Sequence, residues 1–224
     1  MSSSMQRPTL YVEGSDDDHT IRHLLIRSGI DYDKTPWPAN YPEVKQVEMK
    51  AKSGGIDALI NLIAPAIKLS TDRPIAFVVD ADSNRAARWA AVRAKLLSVG
   101  LEPPEEMEPR GFIGQSATFR SRVGVWLMPD NQRDGTLEHF LRDLISTDDT
   151  LIGHSETATA TAKEIGAKFA ETARLKAQLH AWLAWQEEPG CPYGTAMRAH
   201  YFRHDNELAK RFVAWFRDLF GIPA

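Results

Sequence analysis

The chain has 224 residues, of which 43% are hydrophobic and 25% charged, a composition typical of a globular protein with one sizeable core. Its formal net charge of −3 argues against a highly basic protein that binds nucleic acid over a broad surface. The single cysteine, Cys191, excludes an internal disulfide, and no apolar run approaches the roughly 18 residues of a membrane span. We therefore expect a cytoplasmic protein that is neither secreted nor embedded in a membrane.

The N-terminal part of the chain predicts short strands that alternate with helices. Residues 9–13 form a β-rich run, and Gly14 leads from this run into an amphipathic helix. The segment 37–42 contains two prolines and is predicted to be a loop. A second strand is predicted around residues 44–49, and the double glycine at 54–55 then opens a second helix.

The middle of the chain contains the strongest strand pattern. Residues 74–80 are nearly all apolar, as expected of a central strand that is buried on both faces. A helix is predicted from about 84 to 99, two β-like runs within 111–128, and a further helix from Thr136. Strands and helices that alternate at this spacing predict an α/β fold with a central parallel or mixed sheet flanked by helices.

The C-terminal part of the chain has a helical pattern only, from about Ala158 onward. One apolar stripe runs from 165 to 183, and residues 202–220 predict a final amphipathic helix. We therefore divide the chain into an α/β domain, residues 1–150, and a helical C-terminal extension, residues 151–224, that packs on this domain.

Acidic residues recur where the predicted strands end. Glu13 closes the first strand, Asp17 follows one helical turn later, Asp80 and Asp82 close the central strand, and Glu138 lies in the first turn of a helix. Because ligand sites in open α/β sheets lie outside the carboxyl ends of the strands, these five carboxylates are expected to converge. Converging carboxylates repel one another, and a bound divalent cation relieves that repulsion. Ligands that offer only oxygen suit Mg²⁺ or Mn²⁺, so the five acids are predicted metal ligands.

Two local arguments accompany this prediction. Side chains alternate along an extended segment, so Asp80 and Asp82 are expected on the same side of the strand. Gly14 is expected to permit a tight turn beneath the site. Simpler interpretations of single acids stay open, since the run 16–18 also suits a helix cap and Glu138 also suits the N-terminal end of a helix dipole.

Three motifs in chain order resemble the Toprim signature of topoisomerases, DnaG-type primases and OLD-family nucleases. They are Val12-Glu13-Gly14-Ser15-Asp16-Asp17, Val78-Val79-Asp80-Ala81-Asp82 and Gly135-Thr136-Leu137-Glu138. The resemblance spans roughly residues 9–145 and is closest to a Toprim-like family of small uncharacterised bacterial proteins related to the OLD nucleases. It implies a Rossmann-like Toprim fold and Mg²⁺-dependent phosphoryl transfer on DNA or RNA, with the activity of a metal-dependent endonuclease.

The resemblance also implies a role for each acid. Glu13 corresponds to the family's general acid/base or metal ligand, and Asp80 and Asp82 correspond to the pair that holds metal. Asp17 and Glu138 correspond to the further ligands that the OLD branch uses for two metals.

The OLD branch also uses a lysine beyond the last acidic motif, which stabilises the charge of the phosphorane. Lys176 is our candidate for this catalytic lysine, with Lys163 and Lys168 as rivals. A solvated helix lysine is the simpler interpretation of Lys176.

The chain departs from the OLD nucleases because it has no G-x-x-x-x-G-K-[ST] loop to hold a nucleotide phosphate. We therefore expect either a separately encoded P-loop ATPase as a partner or a homodimer. The C-terminal region offers more large apolar side chains than a small helical extension needs, and packing onto the sheet is the simpler interpretation. These side chains are Trp182, Trp185, Phe202, Phe212, Trp215, Phe216, Leu219 and Phe220.

Other interpretations explain fewer of the motifs. A D-x-D after an apolar strand also occurs in nucleotide-sugar glycosyltransferases and in haloacid-dehalogenase-type phosphatases, but neither family accounts for the motifs around Glu13 and Glu138. Histidine pairs at 19/23 and 200/204 have metal-compatible spacing, although ordinary surface histidines are favoured. The strongest rival from another class is a non-catalytic Toprim module that binds metal or nucleotide and regulates a partner ATPase.

Arginines that are close in sequence to the later acidic motif are a further candidate feature. The residues Arg120, Arg122, Arg133 and Arg142 are predicted to form a local basic patch around the second half of the site. Scattered solvated charges are the simpler interpretation.

Overall fold

The computed structural model describes residues 7–30, 47–52 and 54–223 of the chain. The predicted loop at 37–42 and the first residues of the predicted second strand lie outside this part. The strands are β1 (Thr9–Val12), β2 (Glu48–Ala51), β3 (Ile75–Asp80), β4 (Phe112–Gln115) and β5 (Arg122–Met128).

The five strands form one mixed sheet in the order β2-β1-β3-β5-β4. The first four strands in this order run parallel to one another. The last strand, β4, pairs antiparallel with β5. The central strand β3 is buried along its whole length except at its last residue, as its apolar run predicts. The prediction of an α/β fold with a mixed sheet flanked by helices is confirmed. One edge of this sheet collects the carboxyl ends of four parallel strands, and the candidate site lies there.

Helices cover both faces of the sheet. They are α1 (Ser15–Arg27), α2 (Gly55–Leu69), α3 (Arg85–Leu97), α4 (Leu137–Asp143), α5 (Thr150–Glu164), α6 (Arg174–Leu183), α7 (Tyr193–Arg198) and α8 (Glu207–Phe220). Side chains of β3 alternate between the two faces: Phe77 and Val79 pack with α2 and α3, whereas Ala76 and Val78 pack with the other helices. Within the described ranges, none of these helices has both the length and the apolar character that a membrane span requires.

The C-terminal helices share a hydrophobic core with one face of the sheet. The Trp126 ring on β5 lies 5.2 Å from the Phe212 ring and 5.7 Å from the Trp215 ring, both on α8. Gly124 on β5 makes this close approach possible, because a Cβ atom there would overlap the buried side chain of Leu219. Residues beyond 150 therefore complete the cover of the sheet.

The predicted apolar stripe from 165 to 183 does not form one helix. α5 begins at Thr150, where the Asp149 carboxylate accepts the Leu151 N–H at 2.8 Å, and it ends at Glu164. Gly166 then has φ +107°, which ends the helix, and Ile165 is 83% exposed. The stripe prediction is wrong because apolar residues of a loop continued the helical period by chance.

The last predicted helix is also shorter than the pattern indicates. α8 begins at Glu207 rather than at 202, since the Asn206 side chain accepts the Ala209 N–H at 2.8 Å and fixes the first turn. Residues 193–198 form the separate helix α7, which the sequence pattern did not predict.

Of the eight large apolar side chains that we singled out in the C-terminal region, seven lie inside the chain. Trp185 is 40% exposed, whereas the following seven are buried: Trp182, Phe202, Phe212, Trp215, Phe216, Leu219 and Phe220. Packing onto the sheet and among the helices therefore accounts for these seven. They no longer argue for a partner, so the homodimer and the ATPase stay predictions without support from this surface.

Candidate functional site

Five carboxylates meet at the edge of the sheet where the parallel strands end. Glu13 directly follows β1, Asp80 is the last residue of β3, and Asp82 follows two residues later. Asp17 lies in the first turn of α1 and Glu138 in the first turn of α4. The charges of the other four acids all act on the Asp80 carboxyl group, so the structure brings the five predicted acids into one electrostatic cluster.

Burial and mutual repulsion oppose ionisation of the innermost acids. Burial raises the pKa of Asp80 to about 9, and repulsion from the four other carboxylates adds to this effect. Burial likewise raises the pKa of Asp17 to about 7, although the hydrogen bond from the Gly14 N–H acts to lower this pKa. Burial also raises the pKa of Glu13, with the charge of Asp82 as the next cause. Perturbation of several acids in one cluster is typical of functional sites.

Backbone groups hold the two innermost carboxylates. The Asp80 Oδ1 atom accepts the Leu137 N–H at 3.1 Å, which ties β3 to the start of α4. The Asp17 Oδ2 atom accepts the Gly14 N–H at 3.0 Å, so Asp17 also caps its own helix, as the simpler interpretation predicted. We expected Gly14 to permit a tight turn, but its φ of −140° is an extended conformation that any residue adopts, so the backbone there does not use the freedom of glycine.

Asp82 lies outside the strand. Its φ is +53°, in the left-handed region, and its backbone forms an antiparallel bridge with Gly135 through N···O distances of 2.8 and 2.7 Å. The argument that strand alternation orients Asp80 and Asp82 is therefore wrong, since the backbone at Asp82 is not extended. The Asp82 carboxylate forms an ion pair with Arg88 of α3. At Gly135, φ is +144° and a Cβ atom would lie 2.8 Å from the His139 ring, so this bridge requires glycine.

Glu138 is held by a hydroxyl group and an ammonium group. The Thr136 hydroxyl donates to Glu138 Oε2 at 2.7 Å, and Lys176 Nζ of α6 lies 3.2 Å from Oε1. Burial opposes ionisation of Glu138, but the Thr136 hydrogen bond and the Lys176 charge outweigh it and hold the pKa of Glu138 below its usual value. Glu138 is therefore a carboxylate at neutral pH, in contrast to the raised pKa of Asp80.

Of the three candidate lysines, Lys176 is the one that the structure places at the site. Burial lowers the pKa of Lys176, but the charge and hydrogen bond of Glu138 outweigh burial and raise it, so the ammonium group keeps its proton. Lys163 instead donates to the Phe169 carbonyl oxygen at 2.6 Å, and Lys168 is exposed.

Two residues at the site have no sequence signal that singles them out. Arg88 is one of several arginines on α3, and only the fold shows that it pairs with Asp82. Tyr193 lies at the start of α7 with its side chain buried, and the charges of Glu138 and Asp16 act on its hydroxyl group. Both were missed because their partners are distant in sequence or are brought near by helix packing.

A cavity of about 990 Å³ lies beside the carboxylates, with Asp82 and Thr136 in its wall. Two of the four arginines that we predicted near the site, Arg133 and Arg142, line this cavity. The other two lie elsewhere, because Arg120 pairs with Asp72 at 2.5 Å and Arg122 with Asp218 at 2.7 Å. The predicted cluster of four arginines is therefore wrong, because only Arg133 and Arg142 lie beside the site.

The histidine pair at 200/204 is engaged by a cation of the protein itself. The Nδ1 atoms of His200 and His204 lie 2.9 and 2.8 Å from the Arg27 guanidinium group. An arginine that donates to both ring nitrogens competes with a metal ion, so the interpretation as ordinary histidines is favoured.

Four of the five carboxylates, those of Asp17, Asp80, Asp82 and Glu138, already bind donors of the protein. Within the described part of the chain, no group of three or more Asp, Glu, His or Cys side chains is already arranged to hold a metal ion. The chemistry of the cluster nevertheless fits a hard divalent cation, because all five side chains offer carboxylate oxygens. Burial first, and then repulsion from neighbouring carboxylates, raises the pKa values of Asp80 and Asp17, and a bound cation would oppose both effects.

Comparison with known proteins connects the chain to a protein family. The model of a protein family described as "Protein of unknown function (DUF3226)" matches residues 7–221. Neither a curated protein nor a solved structure matches the chain significantly.

Proposed function

This chain belongs to the DUF3226 family of proteins of unknown function, and we propose that it is a Toprim-type nuclease that uses Mg²⁺ or Mn²⁺ to cleave DNA or RNA. The observation that carries the proposal is the convergence of five carboxylates and Lys176 at the carboxyl edge of a parallel sheet. The three motifs that resemble the Toprim signature supply the acids of this cluster, which supports a Toprim-type arrangement within the α/β fold.

The acids divide into those that would hold a cation and one that would move a proton. Asp17, Asp80, Asp82 and Glu138 are the proposed ligands, and Glu13 lies beside them. A bound divalent cation would neutralise charge on a phosphoryl group and lower the pKa of a coordinated water. Glu13 has a raised pKa, so it is suited to take a proton from an attacking water and return it to a leaving oxygen.

Lys176 would stabilise negative charge on the phosphoryl group. Its ammonium group lies 3.2 Å from Glu138, so its charge is already at the site before a substrate arrives. A preorganised cation of this kind acts most strongly where charge develops in the transition state. Arg88 would release Asp82 to a metal ion and offer its guanidinium group to a phosphate oxygen.

The metal is tested first, by calorimetric titration of Mg²⁺ and Mn²⁺ into the wild type and into a double variant, Asp80→Ala with Asp82→Ala. The wild type is expected to bind and the double variant to lose binding. Equal binding by both proteins would refute the metal site. Asp72→Ala with Asp218→Ala is a matched control, because these two acids pair with arginines away from the cluster.

The activity is tested by a cleavage screen on plasmid DNA, single-stranded DNA and RNA with each metal. Glu13→Gln is expected to abolish cleavage while it leaves metal binding nearly intact, because the amide keeps the size of the side chain and loses its basicity. Cleavage that persists in Glu13→Gln or without a divalent cation would refute the proposal.

A non-catalytic metal- or nucleotide-binding module that regulates a partner ATPase is the second candidate. Ion pairs already engage Asp82 and Glu138, and this observation favours it over an open catalytic site. Metal binding without cleavage of any substrate would support this candidate. Light scattering on the purified chain tests for a homodimer, and a search of neighbouring genes for a P-loop protein tests the ATPase partner.

A further inference from the structure

Arg27, in the last turn of α1, ties this helix to the α7–α8 connection, which comprises residues 199–206. Its Nη1 atom donates to the carbonyl oxygen of Phe202 at 2.6 Å. Its Nη2 atom lies 2.9 Å from Nδ1 of His200 and 2.8 Å from Nδ1 of His204. Both terminal amino groups of this one side chain therefore bind the connection.

The contact between Arg27 and the two imidazole rings depends on their protonation. A guanidinium group offers only donors and keeps its charge, so both histidine partners must be acceptors. A neutral imidazole accepts at Nδ1 when its proton is on Nε2, whereas a protonated imidazole carries hydrogen on both nitrogens. Protonation of either ring would therefore replace a hydrogen bond with repulsion between two positive charges. The contact requires that His200 and His204 stay neutral.

The titratable and charged groups around His204 are mostly basic. They are Arg27 of α1, His200, Arg203 and Asp205 of the connection, and Lys210 and Arg217 of α8. Burial lowers the pKa of His204 most and the charge of Arg27 lowers it further, whereas Asp205 acts to raise it. Asp205 is itself paired with Arg203 at 3.0 Å. His204 is therefore neutral at neutral pH and takes up a proton only at acidic pH.

The connection has a strained backbone that this contact helps to hold. His200 has φ +69°, in the left-handed region, which is unfavourable for a residue with a side chain. Phe202 is buried, with its ring 5.3 Å from the Trp182 ring. The Arg203 N–H donates to the Leu144 carbonyl oxygen at 2.8 Å. Without Arg27, these packing and backbone contacts would have to hold the strained segment.

We propose that Arg27, His200 and His204 form an acid-sensitive clasp, which opens when the imidazoles take up protons and then releases the α7–α8 connection from the end of α1. Asp17 of the acidic cluster lies in the first turn of α1, whereas Arg27 lies in the last. The clasp needs neither a metal ion nor a substrate, so it is tested separately from the proposed function.

Two sets of substitutions separate the titration of the histidines from the loss of the contact. In a double variant, His200→Asn with His204→Asn, the side-chain oxygens can still accept from Arg27 but do not titrate. Arg27→Met removes the cation and keeps an apolar stem. His154→Asn is the matched control, because His154 is an exposed histidine of α5 whose ring contacts Trp185 instead.

The experiment measures amide hydrogen exchange of the full chain at pH 7.5 and pH 5, with each rate corrected for the intrinsic effect of pH. In the wild type, protection within 199–206, including the Arg203 N–H, is expected to fall by roughly 10-fold or more at pH 5 relative to protection in β3. The double variant is expected to keep its protection at pH 5, and Arg27→Met to lack it at both pH values. His154→Asn should behave as the wild type does.

Three results would overturn the clasp. They are a wild type whose connection is as protected at pH 5 as at pH 7.5, a double variant that loses protection at pH 5 as the wild type does, and an Arg27→Met variant that is as protected as the wild type at both pH values. Should the double variant be unprotected already at pH 7.5, Arg27→Met decides, because the clasp requires it to match the wild type at pH 5.

Discussion

Lys176 Nζ lies 3.2 Å from the Glu138 carboxylate, although α5 separates their helices along the chain. This contact joins the helical extension to the acidic cluster at the carboxyl edge of the sheet. The candidate site therefore depends on residues from both parts into which the sequence divides near position 150.

Lys176→Met is predicted to lower the rate of phosphodiester cleavage by roughly 10²- to 10³-fold, the usual effect of losing one preorganised donor to a transition state. The free energy of unfolding is expected to change by less than about 1 kcal/mol, because the Lys176 side chain is 48% exposed and half-exposed ion pairs contribute little. Steady-state kinetics and denaturant unfolding measure the two effects. An equal loss of rate in Lys168→Met would contradict the assignment.

Arg88→Met is predicted to strengthen Mg²⁺ binding a few-fold, because it removes the cation that competes for the Asp82 carboxylate. The pKa of Glu13 should rise further, since the Arg88 charge lowers it in the wild type. Calorimetric titration measures the affinity, and Arg93→Met is the control. Arg93 lies on the same helix but donates to the carbonyl oxygens of Pro103 and Pro104. Weaker binding in Arg88→Met alone would show that Arg88 supports the metal site instead.

Gly135→Ala is predicted to destabilise the protein by about 1 to 3 kcal/mol, because alanine strains a backbone with φ +144°. The added Cβ would also meet the His139 ring. Gly153→Ala is the control, since Gly153 lies within α5 with open space around it and alanine there should stabilise the helix by about 0.5 to 1 kcal/mol. Urea unfolding of both variants tests the pair, and similar effects of both substitutions would refute the strain at Gly135.

The sheet and the convergence of the acids could be predicted because both follow from short-range patterns. The apolar run at 74–80 has no polar face, which restricts it to a buried central strand. Parallel strands that share one direction then bring Glu13 and Asp80 to the same edge, however far apart they are in the chain.

The remaining features depend on packing that the sequence pattern does not encode. The sequence pattern did not indicate the end of the helix before Gly166, because Ile165, which is exposed, continued the helical spacing of apolar residues. The left-handed backbone of Asp82 depends on its bridge to Gly135, which is 53 residues away by their numbers. Tyr193 reaches the site only because α7 packs on α1, so its neighbours along the chain give no indication of its place.

The stability of the metal-free protein is predicted to fall as the pH rises. The pKa of Asp80 is raised from 3.8 to about 9 on folding, so between these values the folded state binds more protons than the unfolded state. Stability from this group is complete below the unfolded pKa and is lost progressively as the pH approaches about 9. Asp17 contributes a smaller effect of the same sign, and its stabilising contribution is lost as the pH rises through about 7.

Asp80→Asn isolates this effect, because the amide oxygen can still accept the Leu137 N–H while the side chain no longer titrates. The variant is expected to gain stability relative to the wild type as the pH rises, in thermal unfolding with a chelator present. Asp130→Asn is the contrasting control. Burial opposes the ionisation of Asp130, but hydrogen bonds from Arg133 outweigh burial and lower the pKa of Asp130. The stability that Asp130 contributes is therefore lost at acidic rather than alkaline pH. Mg²⁺ should stabilise the wild type most at high pH, where the carboxylates are free of protons, and should have little effect on Asp80→Asn. A wild type whose stability depends on pH in the same way as that of Asp80→Asn would show that Asp80 is not the group that resists ionisation.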